Sequence, residues 1–283
     1  MPYEKAIDVL QGGAVMAECG PMRLVISAFV GKVPQPEMSM QAAEESFKYL
    51  ERVARLRGML GQRFSKLPEV LEDSLAIKMI RSVLAVGDED LTPMAAVAGT
   101  IGDAVADFLV TRGMTKVVVD NGGDVAVRIS GDTSVTVGIR NEVGRKEISN
   151  VISLDSLLPS WGVTTSGLGG RSLTRGIASA ATVIAESASL ADAAATAIAN
   201  ASFVEDEHVI QRTAEEIDPE TDIKGFHVTV KVGPLSEKIK AMAVSRVMER
   251  AEALVEKHII LGAYVAVQGK VAMTGFFKER LAE

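Results

Sequence analysis

Cysteine, histidine and aromatic residues are scarce in this chain of 283 residues. The sequence contains one cysteine, Cys19, three histidines and only 4% aromatic residues. A single cysteine excludes an intrachain disulfide and is typical of proteins from a reducing compartment. The three histidines lie far apart and lack the spacing of metal ligands, so a histidine-based metal centre is not predicted.

Long basic runs and long apolar runs are absent as well. The net charge is −7, so we expect no nucleic-acid partner, which would need a positive surface to displace phosphate counterions. No apolar run reaches the roughly 18–20 residues of a membrane span or resembles a signal peptide. We therefore expect a cytoplasmic protein with no membrane partner, while a homo-oligomeric state stays open.

Apolar residues suitable for a core are abundant. Hydrophobic residues make up 47% of the chain, which is enough for one large core. No linker rich in proline or serine divides the sequence, so residues 1–283 are predicted to form a single domain. Residues 202–225 are polar and acidic, and we interpret them as a surface excursion from this domain.

Short β-branched runs with Gly and Asn turns alternate with a few long helical patterns. Strands are predicted over AIDVL, AVMAE and LVISAFV, and KVVVD, DVAVRIS and SVTVGI are predicted to form a tight meander. Pro34 and Pro36 are predicted to break the chain before the first helix. Helical periodicity covers about 40–60, 70–84, 93–111, an Ala-rich run from Ser189, and 235–257. This pattern favours an α+β fold, a largely antiparallel sheet with long helices packed on it.

The first segment that could carry chemistry is the turn of residues 121–124 between two predicted strands. It consists of Asn121, Gly122, Gly123 and Asp124. One interpretation is a plain hairpin turn, in which Asn and Gly supply positive φ angles. The other is a turn whose bare backbone lets a ligand approach closely. Spacing alone favours the plain hairpin.

The second segment lies in a stretch rich in Gly, Ser and Thr. Thr165, Ser166 and Gly167 are followed four residues later by Arg171. Hydroxyl groups, bare amides and a guanidinium group are suited to hold a phosphate or pyrophosphate. A flexible surface loop explains the same composition, and both interpretations stay open.

The third segment is the start of the Ala-rich helix. Asp192 and Thr196 are four residues apart and therefore share one helix face. A carboxylate and a hydroxyl there are suited to bind a hard cation such as Mg²⁺, with water and phosphate oxygens completing its shell. The alternative is structural, because Ser189 and Asp192 have the spacing of a capping box.

Taken in this order, the three segments resemble the ApbE flavin transferases. That family carries a turn ending in GGD, a later TSG, and a helix with LADAxAT, matched here by residues 121–124, 165–167 and 190–196. The resemblance covers roughly residues 90–202 and implies an α+β fold related to the T-fold. It also implies FAD with its pyrophosphate near Mg²⁺, and a metal held by Asp192 and Thr196. Some members transfer FMN from FAD to a threonine of a target protein.

The chain departs from the transferases where they keep catalytic groups. The family has a lysine in an AKG segment before GGD, and AGTIGD at residues 98–103 has none. It also has HxxDPxTG between TSG and LADA, where this chain has GRSLTRGIAS without His or Asp. These departures indicate a divergent branch whose catalytic residues are unassigned. The acidic residues nearest the motifs, which could activate an acceptor hydroxyl, are Asp103, Asp107 and Asp124.

Three functions stay open at this stage. The first is binding of FAD or a related phosphate-bearing small molecule with Mg²⁺. The second is a divergent FAD:protein FMN transferase. The third is a non-enzymatic structural or oligomeric protein that has kept the fold. Fold alone does not choose among them.

Overall fold

An antiparallel sheet of ten strands forms the centre of the protein, in a computed structural model that describes residues 3–281. The strands are β1 Lys5–Val9, β2 Val15–Cys19, β3 Met22–Val30, β4 Val33–Pro34, β5 Lys116–Asp120, β6 Val125–Ile129, β7 Ser134–Ile139, β8 Asn150–Asp155, β9 Ser160–Ser166, β10 Ala180–Ala185, β11 Val209–Thr213, β12 His227–Val232, β13 Gly262–Val267 and β14 Lys270–Met273. The sheet runs in the order β1-β2-β3-β5-β6-β9-β10-β13-β14, with β4 beside β3. Two separate hairpins pair β7 with β8 and β11 with β12.

Long helices cover one face of this sheet. The helices are α1 Pro36–Leu60, α2 Ser74–Val86, α3 Val97–Val110, α4 Ala188–Ala201, α5 Ala214–Ile217, α6 Glu237–Glu256 and α7 Gly275–Leu281. Helices α1, α3, α4 and α6 pack on the strands, and α2 packs on α4. The β7–β8 hairpin and α7 cover part of the opposite face, around Trp161 and Tyr264. The predicted α+β fold with a largely antiparallel sheet is confirmed.

Helix α4 lies in the middle of the helical layer. It contacts β9 and β10 of the sheet and the neighbouring helices α2, α3 and α6. Its sequence, ASLADAAATAIANA, offers mostly methyl side chains, and nine of its residues are buried. Such small side chains allow a helix to approach its neighbours closely on several sides. The Ala-rich composition of α4 therefore follows from its central position.

Two helix starts differ from the prediction. Pro36 does not break the chain but opens α1, because proline at a first helical position lacks only an amide that has no partner there. Helix α2 begins at Ser74 rather than near residue 70. The Asp73 side chain caps it by accepting hydrogen bonds from the amides of Leu75 and Ala76.

The predicted three-stranded meander is also wrong in part. Strand β7 does not continue from β6, because the free edge of β6 pairs with β9, a strand far along the chain. The Gly, Ser and Thr residues of β9 predict a loop at this position rather than a strand. Gly162 is needed within β9, since a Cβ atom there would overlap the backbone of Ser187 and Ala188 at the start of α4. The glycine thus reflects a close strand–helix approach rather than a loop.

One stretch among residues 3–281, Pro93–Val110, has the length and mean hydropathy of a membrane span, although the sequence predicts none. In this fold 56% of the stretch is buried, where α3 packs on α1, α4, β5 and β6. A helix inside a protein core has the same composition. The stretch is therefore only a weak indication of a membrane.

Candidate functional site

A pocket of about 250 Å³ lies where the start of α3, the 121–124 turn, the end of β9 and α4 meet. It brings together three segments that are far apart in the sequence. Nine of the ten predicted site residues line it: Asn121, Gly122, Asp124, Thr165, Ser166, Gly167, Arg171, Asp192 and Thr196. The tenth, Gly123, is exposed on the turn and does not line the pocket.

The 121–124 turn connects β5 to β6 and is held to α3. The amide of Asn121 donates to the carbonyl of Asp124 over 3.0 Å, which closes the turn. The Asn121 side chain is buried, and its Nδ2 donates to the Ala98 carbonyl over 3.2 Å. Gly122 and Gly123 both have positive φ, at 70° and 108°. The hairpin interpretation therefore describes the turn, and the turn also forms one wall of the pocket.

Arg171 spans the pocket between two other segments. Its Nη1 donates to the carbonyl of Pro21 over 3.0 Å, and its Nη2 donates to the carbonyl of Asn121 over 2.9 Å. The guanidinium group lies so close to Gly122 that a Cβ atom on this residue would overlap it. Glycine is thus required here by both its φ angle and the arginine.

Four hydroxyl groups line the same pocket, those of Thr165, Ser166, Ser172 and Thr196. The Thr165 hydroxyl is 2.9 Å from that of Thr182 and already has a partner. Within residues 3–281, the hydroxyls of Ser166 and Thr196 form no hydrogen bond with another protein atom, so both can serve a ligand. Thr165 and Ser166 end strand β9, so the flexible-loop alternative is wrong for them. The residues from Gly167 to Arg171 lie outside the strand.

Asp192 faces the start of α3 rather than its own helix. Its Oδ2 accepts a hydrogen bond from the Gly99 amide over 2.9 Å. The N-cap of α4 is Ser187, whose side chain accepts from the amide of Leu190. Ser189 already lies inside the helix, so the capping box of Ser189 and Asp192 is not formed.

Asp124 and Asp192 are half-buried, and each disfavours the charge of the other. Burial raises the pKa of Asp124 to about 7, Arg171 opposes the shift, and the charge of Asp120 adds to it. Burial likewise raises the pKa of Asp192 well above its usual range, and the charge of Asp124 raises it further. Ionisation of both carboxyls is unfavourable because their negative charges repel, unless a positive charge lies close to both.

The donor atoms in the pocket fit a hard cation. Two carboxylates and the Thr196 hydroxyl offer only oxygen ligands, which Mg²⁺ prefers. No cluster of three or more His, Cys, Asp or Glu side chains suited to a metal occurs among the residues that the structure describes. A cation here would therefore need water or phosphate oxygens to complete its shell.

The pocket fits a phosphate group better than a whole dinucleotide. Arg171 and the hydroxyls of Ser166 and Thr196 offer the donors that phosphates need. Its volume of about 250 Å³ lies below the roughly 300–1,000 Å³ of pockets that enclose a drug-sized ligand. A ligand as large as FAD would keep part of its structure outside this cavity.

An apolar wall of the pocket was not predicted from the sequence. It is formed by aliphatic side chains from four separate segments: Pro21, Met22, Leu50, Val97, Ile101 and Val143. These residues carry no local signal, because the same side chains would suit an ordinary core. Their role depends on contacts between distant segments.

Two of the three acidic candidates for a catalytic base do not line the pocket. Asp103 is fully buried and pairs with Lys78 and Arg128. Asp107 pairs with the same arginine over 2.8 Å. Asp124 is the one candidate of the three that lines the pocket.

Comparisons with known proteins identify the family. A family model described as AbpE bacteria matches residues 7–273. A UPF0280 protein of Methanococcus maripaludis strain C7 is 30% identical over 179 residues, covering 61% of this chain and 72% of that protein. A UPF0280 protein of Methanocaldococcus jannaschii is 34% identical over 171 residues, covering 59% and 68%. The crystal structure of an ApbE protein from Thermotoga maritima has a TM-score of 0.52 at 14% identity, covers 99% of this chain and 100% of that chain, and so shows a shared fold. The match over residues 7–273 shows that the chain belongs to the AbpE bacteria family.

Proposed function

We propose that this protein binds FAD or a related phosphate-bearing small molecule together with Mg²⁺ in the pocket beside α4. The observation that carries the proposal is the pair of carboxylates that line the pocket, Asp124 and Asp192, whose pKa values are both raised. A divalent cation between them would remove their mutual repulsion. Arg171, on the other side of the 121–124 turn, would compensate phosphate charge.

Each pocket residue has a role in this proposal. Asp192 and Thr196 would hold the cation, with Asp124 opposite. Thr165, Ser166 and Gly167 at the end of β9 would meet the phosphates with hydroxyl and amide groups. The 121–124 turn would let the phosphates approach its backbone closely. The bound cation would supply charge neutralisation, and the rest of a dinucleotide would lie outside the cavity. A cytoplasmic location belongs to the same proposal.

The family resemblance supports flavin as the ligand and raises FMN transfer as a second function. Transfer to a threonine hydroxyl needs a group that accepts the hydroxyl proton. Among the acidic candidates Asp124 is the one that lines the pocket, so it is the candidate placed to accept that proton. Incubation with FAD, Mg²⁺ and a flavin-accepting target domain tests this. Covalent FMN that is lost in Asp124→Asn supports transfer, and no covalent FMN at saturation contradicts it.

The binding proposal is tested by thermal unfolding of Asp192→Asn with Mg²⁺ and FAD. Asparagine keeps an oxygen that can accept from the Gly99 amide, but it removes the charge that repels Asp124. We expect the unliganded variant to unfold at the same temperature as the wild type or higher. The stabilisation by Mg²⁺ and FAD should be clearly smaller than in the wild type, because the ligand binds more weakly.

The matched control is Asp132→Asn, which removes the carboxylate of an exposed residue that does not line the pocket. Its stabilisation by Mg²⁺ and FAD should equal that of the wild type. If Asp192→Asn keeps the full stabilisation, the assignment of the cation to this residue is wrong. If the wild type itself is not stabilised, a non-enzymatic protein that has kept only the fold is favoured.

A further inference from the structure

Asp103 on α3 holds the first amides of α4. Its Oδ1 accepts from the amide of Ala188 over 3.1 Å, and its Oδ2 accepts from the amide of Ser189 over 3.0 Å. These amides have no partner within their own helix, because they belong to its first turn. The carboxylate also lies at the positive end of the α4 dipole. Asp103 therefore caps a helix that lies 85 residues further along the chain.

The charge of Asp103 is balanced inside the protein. Lys78 Nζ and Arg128 Nη2 each lie 2.9 Å from one of its carboxylate oxygens. Burial opposes ionisation, but the two cations and the Ser189 amide outweigh it and lower the pKa of Asp103. The side chain is thus an ionised carboxylate with four hydrogen-bonding or ionic partners. None of these partners lines the pocket.

Helices α3 and α4 are joined by a second contact of the same kind in the opposite direction. Asp192 on α4 accepts from the Gly99 amide at the start of α3. Asp103 follows Gly99 by about one turn, and Asp192 follows Ser189 by about one turn. The starts of the two helices therefore bind each other reciprocally. A shift at the Asp103 contact would move the Asp192 contact with it.

The fit at this crossing leaves no free space. A Cβ atom on Gly99 would overlap the Ala188 carbonyl, and one on Gly162 of β9 would overlap the backbone of Ser187 and Ala188. Backbone atoms cannot move aside as a flexible side chain can. The start of α4 is therefore held by α3, by β9 and by the Asp103 carboxylate.

We infer that Asp103 is a positioning residue for the cation site, because its contacts with Ala188 and Ser189 set where α4 presents Asp192 and Thr196. This inference rests on the proposed function, since it concerns the same cation. Asp103 itself would not touch the cation or the ligand.

The test measures Mn²⁺ affinity of the full chain by electron paramagnetic resonance, with Mn²⁺ as the probe in place of Mg²⁺. In Asp103→Asn the amide group presents hydrogens to one of the α4 amides, so the helix start has to shift. We expect the Kd for Mn²⁺ to rise by about 10-fold or more, as for other residues that orient metal ligands. The titration is made well below the unfolding temperature of each variant.

Asp73→Asn is the matched control. Asp73 also accepts from two helix-terminal amides, those of Leu75 and Ala76, and pairs with Arg52 over 2.9 Å. It caps α2, which contributes no residue to the pocket. Asp73→Asn should destabilise the fold without changing the Kd for Mn²⁺. Asp107→Asn, which removes a charge from the same ion-pair network, should leave the Kd unchanged too.

Asp103→Glu distinguishes the effect of the carboxylate's position from that of its charge. It is also the variant to test if Asp103→Asn does not fold. It keeps the carboxylate for Lys78 and Arg128 but moves it by one methylene. We expect a weaker Mn²⁺ site at unchanged net charge. If the wild type binds Mn²⁺ and the folded Asp103 variants bind it with the same Kd, the positioning role of Asp103 is wrong. The proposed cation site would then still stand. Absence of Mn²⁺ binding by the wild type, with and without FAD, would overturn the proposed cation site and this inference together.

Discussion

The Asp124 carboxyl makes the stability of the ligand-free protein depend on pH near neutrality. Its pKa is about 7 in the folded protein, against a usual value of 3.8. Between these values the folded state binds more protons than the unfolded state, so the free energy of unfolding falls as pH rises. Carboxyls with lowered pKa values, such as Asp73 and Asp103, stabilise the fold while they are ionised. Their contribution to the free energy of unfolding is lost only as pH falls below about 4.

We therefore expect urea unfolding without metal to show decreasing stability from about pH 5 to pH 7. In Asp124→Asn this decrease should be smaller, because the group that releases the proton is gone. Urea titrations of both proteins at pH 5, 6, 7 and 8 measure the difference. Identical pH profiles would contradict the raised pKa of Asp124.

Glycine is needed at position 122 for two reasons, its positive φ angle and the close contact with Arg171. Gly122→Ala should destabilise the protein by about 1–2 kcal/mol through its left-handed backbone, and by a further amount because the new methyl group overlaps Arg171. Gly131→Ala is the control, since Gly131 has nearly the same φ, 69° against 70°, and open space around it. Urea unfolding should show the larger loss for Gly122→Ala. Equal losses would mean that Arg171 does not hold the turn.

At the scale of secondary-structure elements, the end of α4 is fixed as firmly as its start. The Ser202 hydroxyl is buried, accepts from the amides of Ile177 and Ala178 over 2.7 and 2.8 Å, and donates to the Ala199 carbonyl. Beside it, a Cβ atom on Gly176 would overlap the same carbonyl. The chain that follows the pocket loop is thereby tied to the end of α4.

Ser202→Ala should destabilise the protein by roughly 2–4 kcal/mol, because it leaves two buried amides without a partner. Ser236→Ala is the comparison, since Ser236 caps α6 through a single amide, that of Ile239, at an exposed position. That change should cost about 1 kcal/mol. Urea unfolding of both variants measures the contrast. A loss for Ser202→Ala no larger than for Ser236→Ala would contradict the account.

Local patterns predict elements better than they predict pairings. Runs of β-branched residues indicate β1–β3 and β5–β7, because such side chains suit a pleated surface. Strand β9 does not show this pattern. Its contact with α4 requires Gly162, and Thr165 and Ser166 line the pocket. Which strand pairs with β6 depends on packing across the whole molecule, and no local pattern carries that information.

At the scale of the whole molecule, the sheet and the helical layer assemble the pocket from distant parts of the chain. The ordered motifs predict which polar residues meet there. The sequence does not predict that Arg171 reaches Pro21, 150 residues away, or that Asp103 holds the start of α4. Both contacts depend on how the helices and turns pack on the sheet.

The chain belongs to the AbpE bacteria family, and among its described residues the pocket contains no histidine and no lysine. Its polar side chains are two carboxylates, four hydroxyls, one asparagine and one arginine. This set suits a cation and phosphates more directly than it suits proton transfer. We therefore propose that the pocket binds a phosphate-bearing ligand together with a cation.

Binding is tested by isothermal titration of FAD into the protein, once with Mg²⁺ and once with EDTA. We predict saturable binding that requires Mg²⁺ in the wild type and is at least about 10-fold weaker in Asp192→Asn. Asp132→Asn should bind like the wild type. No binding of FAD would rule out the proposed FAD site, and binding that neither EDTA nor Asp192→Asn changes would rule out the cation at Asp192.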